Sequence, residues 1–197
     1  MDGRTWLYTG IAASAEARSR QLVRHLGGRL GRPEGEIAIG RDSFGKPFLA
    51  APAMEYWFNA SSCDGLMLIT ESHDGPVGAD LETLERCRAV WEDAAREFPP
   101  AEQALLAGLP LRDRPLAFTR LWTAKEAVLK ARGTGIVDGL AEPDLSFLRD
   151  LAAPPPWQPT NVNVGRDRYA LTWYTLTIVE VRAIAARAES SPNPGMT

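Results

Sequence analysis

Apolar residues recur along this chain with two spacings, and the spacing predicts the elements. Ala117, Leu121, Ala124, Val128 and Ala131 fall within one narrow arc at about 3.6 residues per turn, which predicts a helix with a buried stripe. Phe118, Trp122 and Leu129 widen that arc, so the helix is expected to be enclosed over much of its circumference. Pro115 suits its first turn, and Gly133 and Gly135 offer the left-handed backbone that ends a helix. Ala12 to Leu30 reads as another helix, with Ala17, Leu22, Val23, Leu26 and Leu30 as its apolar positions and Arg18, Arg20, Arg24, His25 and Arg29 among the rest. Leu84 to Arg96 and a short stretch after Pro100 that carries Glu102 are the remaining helices.

The other spacing is that of strands. Trp6 to Ile11, Glu36 to Gly40 and the Phe48-Leu49 pair read as extended. Tyr56 to Ser62 and Leu66 to Thr70 are two strands joined by a turn at Cys63-Asp64-Gly65, a predicted hairpin. Pro76 to Glu82 is extended, and Tyr169 to Tyr174 and Thr177 to Val181 are two closing strands, with Ala183 to Arg187 a separate short segment. Gly31 to Gly35 breaks the chain, Ala153 to Trp157 is a stiff proline loop, and Ser190 to Thr197 has the composition of a flexible tail.

Composition narrows the class. Hydrophobic content of 45% and charged content of 24% are those of a globular protein with a real core. The net charge of −3 argues against a chain that coats nucleic acid, although it leaves room for a local basic pocket. Cys63 and Cys87 have neither metal-ligand spacing nor a disulfide framework and are expected to be reduced thiols. The start leads into no long apolar run and no stretch reaches the roughly 20 residues of a membrane span, so a cytoplasmic protein is expected.

Four stretches carry candidate chemistry. Along an extended Pro76–Glu82, Asp80 and Glu82 share a face, and two adjacent carboxylates repel unless something positive lies between them. A hard divalent cation with oxygen ligands relieves that repulsion; a solvated strand end would relieve it as well. Glu126 and Lys130, one helical turn apart, project together away from the apolar stripe. Alone they would be a surface pair worth about 0.2–0.5 kcal/mol. Gly45-Lys46-Pro47 sets an ammonium group on a stiff turn, and Ser61 and Ser62 end a strand in hydroxyls suited to phosphate or to the turn backbone.

In order, Gly45-Lys46-Pro47, Phe58-Asn59-Ala60-Ser61-Ser62, Val77-Gly78-Ala79-Asp80-Leu81-Glu82, Glu102 and Trp122-Thr123-Ala124-Lys125-Glu126-Ala127-Val128-Leu129-Lys130 resemble the 4'-phosphopantetheinyl transferase superfamily, in its larger monomeric surfactin-synthetase-activating type. The resemblance implies an α+β fold of two similar α/β halves with pseudo-twofold symmetry, near 1–76 and 77–190, each a helix on a small antiparallel sheet, with 191–197 as tail. It implies a monomer, without nucleic-acid or membrane partners, that moves the phosphopantetheine arm of coenzyme A onto a serine of an apo acyl or peptidyl carrier protein and releases 3',5'-ADP. Asp80, Glu82 and Glu126 would hold Mg²⁺. Glu126 would accept the serine proton, with Glu102 as the competing base or water-holder, and Lys130 would neutralise the leaving phosphate. Lys125 would contact a coenzyme A phosphate, and Lys46, Ser61 and one or more of Arg18, Arg20 and Arg24 would hold the 3'-phosphate end, Arg20 fitting the family spacing best. Ser62 stands where relatives carry a histidine, and little chain precedes the first helix; a non-catalytic relative that binds carrier protein or coenzyme A is therefore the alternative.

Overall fold

The computed structural model describes residues 4–135, 140–148, 151–152, 160–164, 167–177 and 180–187. The expected proline loop at 153–157 and the tail at 190–197 lie outside them.

The first part of the chain builds a three-stranded sheet under one helix. Strand β1 (Arg4–Tyr8) leads to α1 (Ala15–Leu30), whose Ser14 side chain accepts the Ala17 amide at 3.1 Å and whose end is turned by Gly31 at φ 62°. After a short 3-10 helix (Glu34–Glu36), β2 (Ala38–Arg41) and β3 (Pro47–Ala51) form a separate hairpin, the Phe48 ring lying over Gly40 where a side chain would collide. Strands β4 (Trp57–Cys63) and β5 (Leu66–Ser72) follow, joined through Asp64 and Gly65 at φ 47° and 80°, the two positive values that a two-residue hairpin of this hand demands. The order is β1-β5-β4, all antiparallel. Leu22 and Leu26 of α1 pack on Tyr56, Phe58, Met67 and Ile69. Between helix and sheet lies a polar knot. Glu71 takes His25 Nε2 at 2.7 Å and Arg29 Nε at 3.0 Å, while the other ring nitrogen of His25 meets the Tyr8 hydroxyl at 2.6 Å.

The second part repeats that logic with more helix. Strand β6 (Val77–Thr83) runs into α2 (Leu84–Ala94), capped by Thr83. Then come α3 (Pro100–Ala107) and α4 (Arg114–Arg132), with Pro115 in the first turn of α4 and Gly133 at φ 80° closing it. Strands β7 (Thr160–Val164), β8 (Asp167–Thr177) and β9 (Glu180–Arg187) complete a sheet ordered β6-β9-β8-β7. In both sheets the first strand pairs with the last and the last with the one before it, and a long helix precedes the returning strands. The five positions of the apolar arc on α4 are all essentially inaccessible, and Phe98, Phe118 and Trp122 stack beside them.

The closing strands differ from the sequence expectation. β7 was not foreseen, and Ala183 to Arg187 belong to β9 instead of forming a separate segment. β9 is paired on both edges, with β6 and β8, and those two ladders override the low strand propensity of its alanines. Cys63 and Cys87 are free, buried thiols, and burial pushes the Cys87 thiol up to about 11. Among the described residues no helix is long and apolar enough to cross a membrane.

Candidate active site where two sheet edges meet

β4 is the edge of the first sheet and β6 the edge of the second. They are joined by side chains along a seam in which residue numbers rise together. The Asn59 carboxamide oxygen accepts the Ala79 amide at 2.9 Å, Ser61 Oγ donates to Asp80 Oδ1 at 2.9 Å, and the Cys63 thiol points at Glu82 Oε2 at 3.5 Å. Thr83 Oγ1 donates to Asp64 Oδ2 at 2.6 Å and closes the seam. Asn59 is buried, so its amide replaces the ladder partner that an edge strand lacks.

Helix α4 lies on this seam because β6 carries a glycine beneath it. A Cβ on Gly78 would overlap the Ala127 carbonyl oxygen and the Ala131 nitrogen, so only glycine lets helix and strand come this close. That approach sets the one polar stripe of α4 over Asp80. Lys130 Nζ reaches Asp80 Oδ1 at 2.5 Å and Ser61 Oγ at 3.2 Å, and Glu126 Oε2 stands 3.8 Å from the same ammonium. Glu82, one face-mate along β6, is 3.8 Å from Arg86.

The electrostatics follow from crowding acids in a sheltered place. Burial raises the Glu82 carboxyl above its ordinary value and Asp80 adds to the rise. Burial also raises Glu126; Lys130 opposes it, and the charges of Asp80 and Glu82 add to it. The three carboxyls therefore feel one another. Asp80 Oδ2 is buried with no hydrogen-bond partner, which suits an oxygen meant for a ligand the protein does not itself supply. Among the described residues no three such side chains are drawn together tightly enough to define a metal centre. The oxygen-only donor set and the orphaned oxygen fit Mg²⁺.

The other expected residues divide. Lys125 and Glu102 do not reach the seam: both are fully enclosed, 2.8 Å apart. Lys125 Nζ also donates to the carbonyls of Leu140 and Pro143, and Glu102 Oε1 accepts the Leu145 amide at 2.7 Å. All three ammonium hydrogens of Lys125 are taken up inside, by the two carbonyls and Glu102. The pair anchors residues 140–145 to α3 and α4, away from the acids and lysine of the seam. Burial lowers the Lys125 ammonium and raises the Glu102 carboxyl, each opposing the other's shift.

Lys46 Nζ caps the end of α4, donating to Ala131 O at 3.0 Å and Val77 O at 3.5 Å, and burial lowers it to about 8. It lines a cleft of about 560 Å³ with Phe44, Phe48, Tyr56, Arg132 and Thr134. On the other side of Pro47 a cleft of about 190 Å³ is walled by Arg18, Arg41, Ser61 and Ser62. Arg20, the arginine best placed by spacing, instead pairs with Glu16 at 2.8 Å on the exposed side of α1, and Arg24 reaches Glu34. Sequence reading missed three contributors. Arg41 sits just before the Gly-Lys-Pro turn and gave no separate signal; Asn59 was visible as an amide in an apolar strand; Gly78 was quoted without its reason.

Two antiparallel sheets, each under a helix, with acids and a lysine on their seam, make this an α+β protein. The sequence model of the 4'-phosphopantetheinyl transferase superfamily matches residues 76–179, just over half of the chain, and the chain belongs to that superfamily. It is similar to the 4'-phosphopantetheinyl transferase HetI of Nostoc sp., 39% identical over 113 residues that cover 56% of this chain and 48% of that protein. The 4'-phosphopantetheinyl transferase AcpT of Escherichia coli K12 is 37% identical over 102 residues, covering 51% and 50%. The L-aminoadipate-semialdehyde dehydrogenase-phosphopantetheinyl transferase of Eremothecium gossypii is 32% identical over 148 residues, covering 71% and 53%. The chain thus spans about half the length of the relatives it matches.

Proposed function

We propose that this protein is a cytoplasmic, monomeric 4'-phosphopantetheinyl transferase of the surfactin-synthetase-activating type, which attaches the phosphopantetheine arm of coenzyme A to a serine of an apo carrier protein. The observation that carries the reading is the seam itself: Asp80, Glu82, Glu126 and Lys130 gathered beside one orphaned carboxylate oxygen. Family membership and the transferase names of its relatives support it. The shared strand order of the two sheets supports a pseudo-twofold relation between halves near 1–76 and 77–190.

Asp80, Glu82 and Glu126 would hold Mg²⁺, which when bound supplies positive charge to the pyrophosphate oxygens. Lys130 brings a point charge to the phosphate that loses 3',5'-ADP. Glu126 accepts the serine proton: it stands beside Lys130 and keeps some exposed surface, whereas Glu102 is fully enclosed. Arg18, Arg41 and Ser62 line the small cleft for coenzyme A phosphates, and the larger, more apolar cleft beside Lys46 suits an uncharged part of the same molecule. Ser62 donates one hydrogen bond without charge, and the two arginines beside it offset that loss.

The test is mass spectrometry of apo carrier proteins of fatty acid, polyketide and peptide synthesis incubated with coenzyme A and Mg²⁺. Addition of one phosphopantetheine arm is expected with at least one carrier and is abolished by Asp80→Ala. No addition to any of them refutes the reading.

A further inference from the structure

We infer that Ser61 is a positioning residue for Lys130. A serine hydroxyl has one proton to give and lone pairs to receive. Here the proton goes to Asp80 Oδ1 at 2.9 Å and the Lys130 ammonium donates back at 3.2 Å, so the hydroxyl is engaged on both counts. Ser61, Asp80 Oδ1 and Lys130 Nζ form a closed triangle, the third side being the 2.5 Å ion pair. A lysine head on its flexible four-carbon stem needs such a bracket to be held at one point.

The bracket also divides the labour of Asp80. Oδ1 holds the hydroxyl and the ammonium, whereas Oδ2, buried and without a partner, is left for the cation. Two of the three ammonium protons are then fixed. Among the described residues the third has no acceptor, since Glu126 Oε2 at 3.8 Å is beyond hydrogen-bond reach. That free proton is the one for an incoming phosphate oxygen.

Composition makes the idea testable. The chain has only three lysines, at 46, 125 and 130. Lys125 is sealed with Glu102, and Lys46 is bound to main-chain carbonyls. Lys130 alone is bracketed by a hydroxyl.

What Lys130 is positioned toward rests on the transferase reading; the bracket does not. The experiment compares Ser61→Ala and Ser61→Thr with the unsubstituted protein in two measurements. The first is the rate of Lys130 acylation by acetic anhydride, mapped by peptide mass spectrometry with Lys46 as internal control. The second is coenzyme A affinity by calorimetry. Ser61→Ala is expected to speed Lys130 acylation about threefold or more and leave that of Lys46 unchanged, because the amine head is no longer tethered to the Ser61 hydroxyl. It should slow transfer about tenfold while coenzyme A affinity moves less than about twofold, and Ser61→Thr should restore both. Unchanged Lys130 acylation, or a tenfold weaker grip on coenzyme A with Lys130 unaffected, overturns the inference. Acylation needs no turnover. A protein that transfers nothing yet shows the Ser61→Ala effect on Lys130 therefore refutes the transferase reading and upholds the bracket.

Discussion

Consider the removal of the ion pair between Glu102 and Lys125. Both side chains have no accessible surface and lie 2.8 Å apart. Lys125→Met strands a carboxylate in the core and takes the donor from the carbonyls of Leu140 and Pro143. Breaking a buried pair from one side costs about 3–5 kcal/mol. Glu102→Leu strands the ammonium and orphans the Leu145 amide, with a similar cost of about 3–5 kcal/mol. In the double variant no charge is left unpaired. What remains is the loss of main-chain partners, at about 1–3 kcal/mol in all. The cycle therefore predicts strong non-additivity, a coupling of roughly 3 kcal/mol or more, measured by urea unfolding of all four proteins. Single variants that each lose less than about 1 kcal/mol, or a double variant equal to their sum, would show that the pair is not the closed unit described. Transfer assays on Glu102→Gln at a temperature where it stays folded should retain activity within about tenfold, since the carboxyl touches no substrate. Complete loss in a folded protein would restore Glu102 as the base.

Three further outcomes are expected. Gly78→Ala should cost about 3 kcal/mol or more in urea unfolding, because a methyl there meets main chain that cannot yield without lifting α4; a change below about 0.5 kcal/mol contradicts the close approach. Lys46 releases its proton near pH 8 when folded but near 10.5 when unfolded, so between those values the unfolded chain binds more protons and stability rises with pH. Thermal melts across that window should show Lys46→Met without this part of the slope. Burial by itself would raise the Glu71 carboxyl, yet hydrogen bonds from His25, Tyr56 and Arg29 bring it below 4.5. The stability it contributes is thus present above about pH 4.5 and is lost as pH falls through the folded value, and Glu71→Gln should remove that acid-side loss along with about 3 kcal/mol at neutral pH.

Much of this was legible from local pattern. The helical arc on α4 named five buried residues from spacing alone, and the period-two reading placed Asp80 and Glu82 on one face. The same wheel also held the answer on Lys125. It lies one turn from Leu121 and from Leu129, within the buried face, whereas Glu126 and Lys130 lie on the open one. The motif put two lysines on an equal footing; helix geometry separates them. Spacing along α1 likewise does not say which face looks at the sheet, and Arg20 lies on its exposed side beside Glu16. The seam between β4 and β6 was beyond local reasoning. It joins residues about 20 positions apart through side chains, and neither period nor propensity reports on that. β9 was misjudged because its alanines are held by two neighbouring ladders and not by any preference of their own.

The seam has one more consequence, for the chain's continuity. Each sheet is complete without the other, and the turn between β5 and β6 crosses exposed positions at His73 and Asp74. A break there would cut no ladder, since what crosses from β4 to β6 is carried by the side chains of Asn59, Ser61, Cys63 and Asp64. Two separately made fragments would then rebuild the acid cluster only on meeting, and the recovered activity would grow with the product of their concentrations. The joint is a docking interface that happens to be tethered.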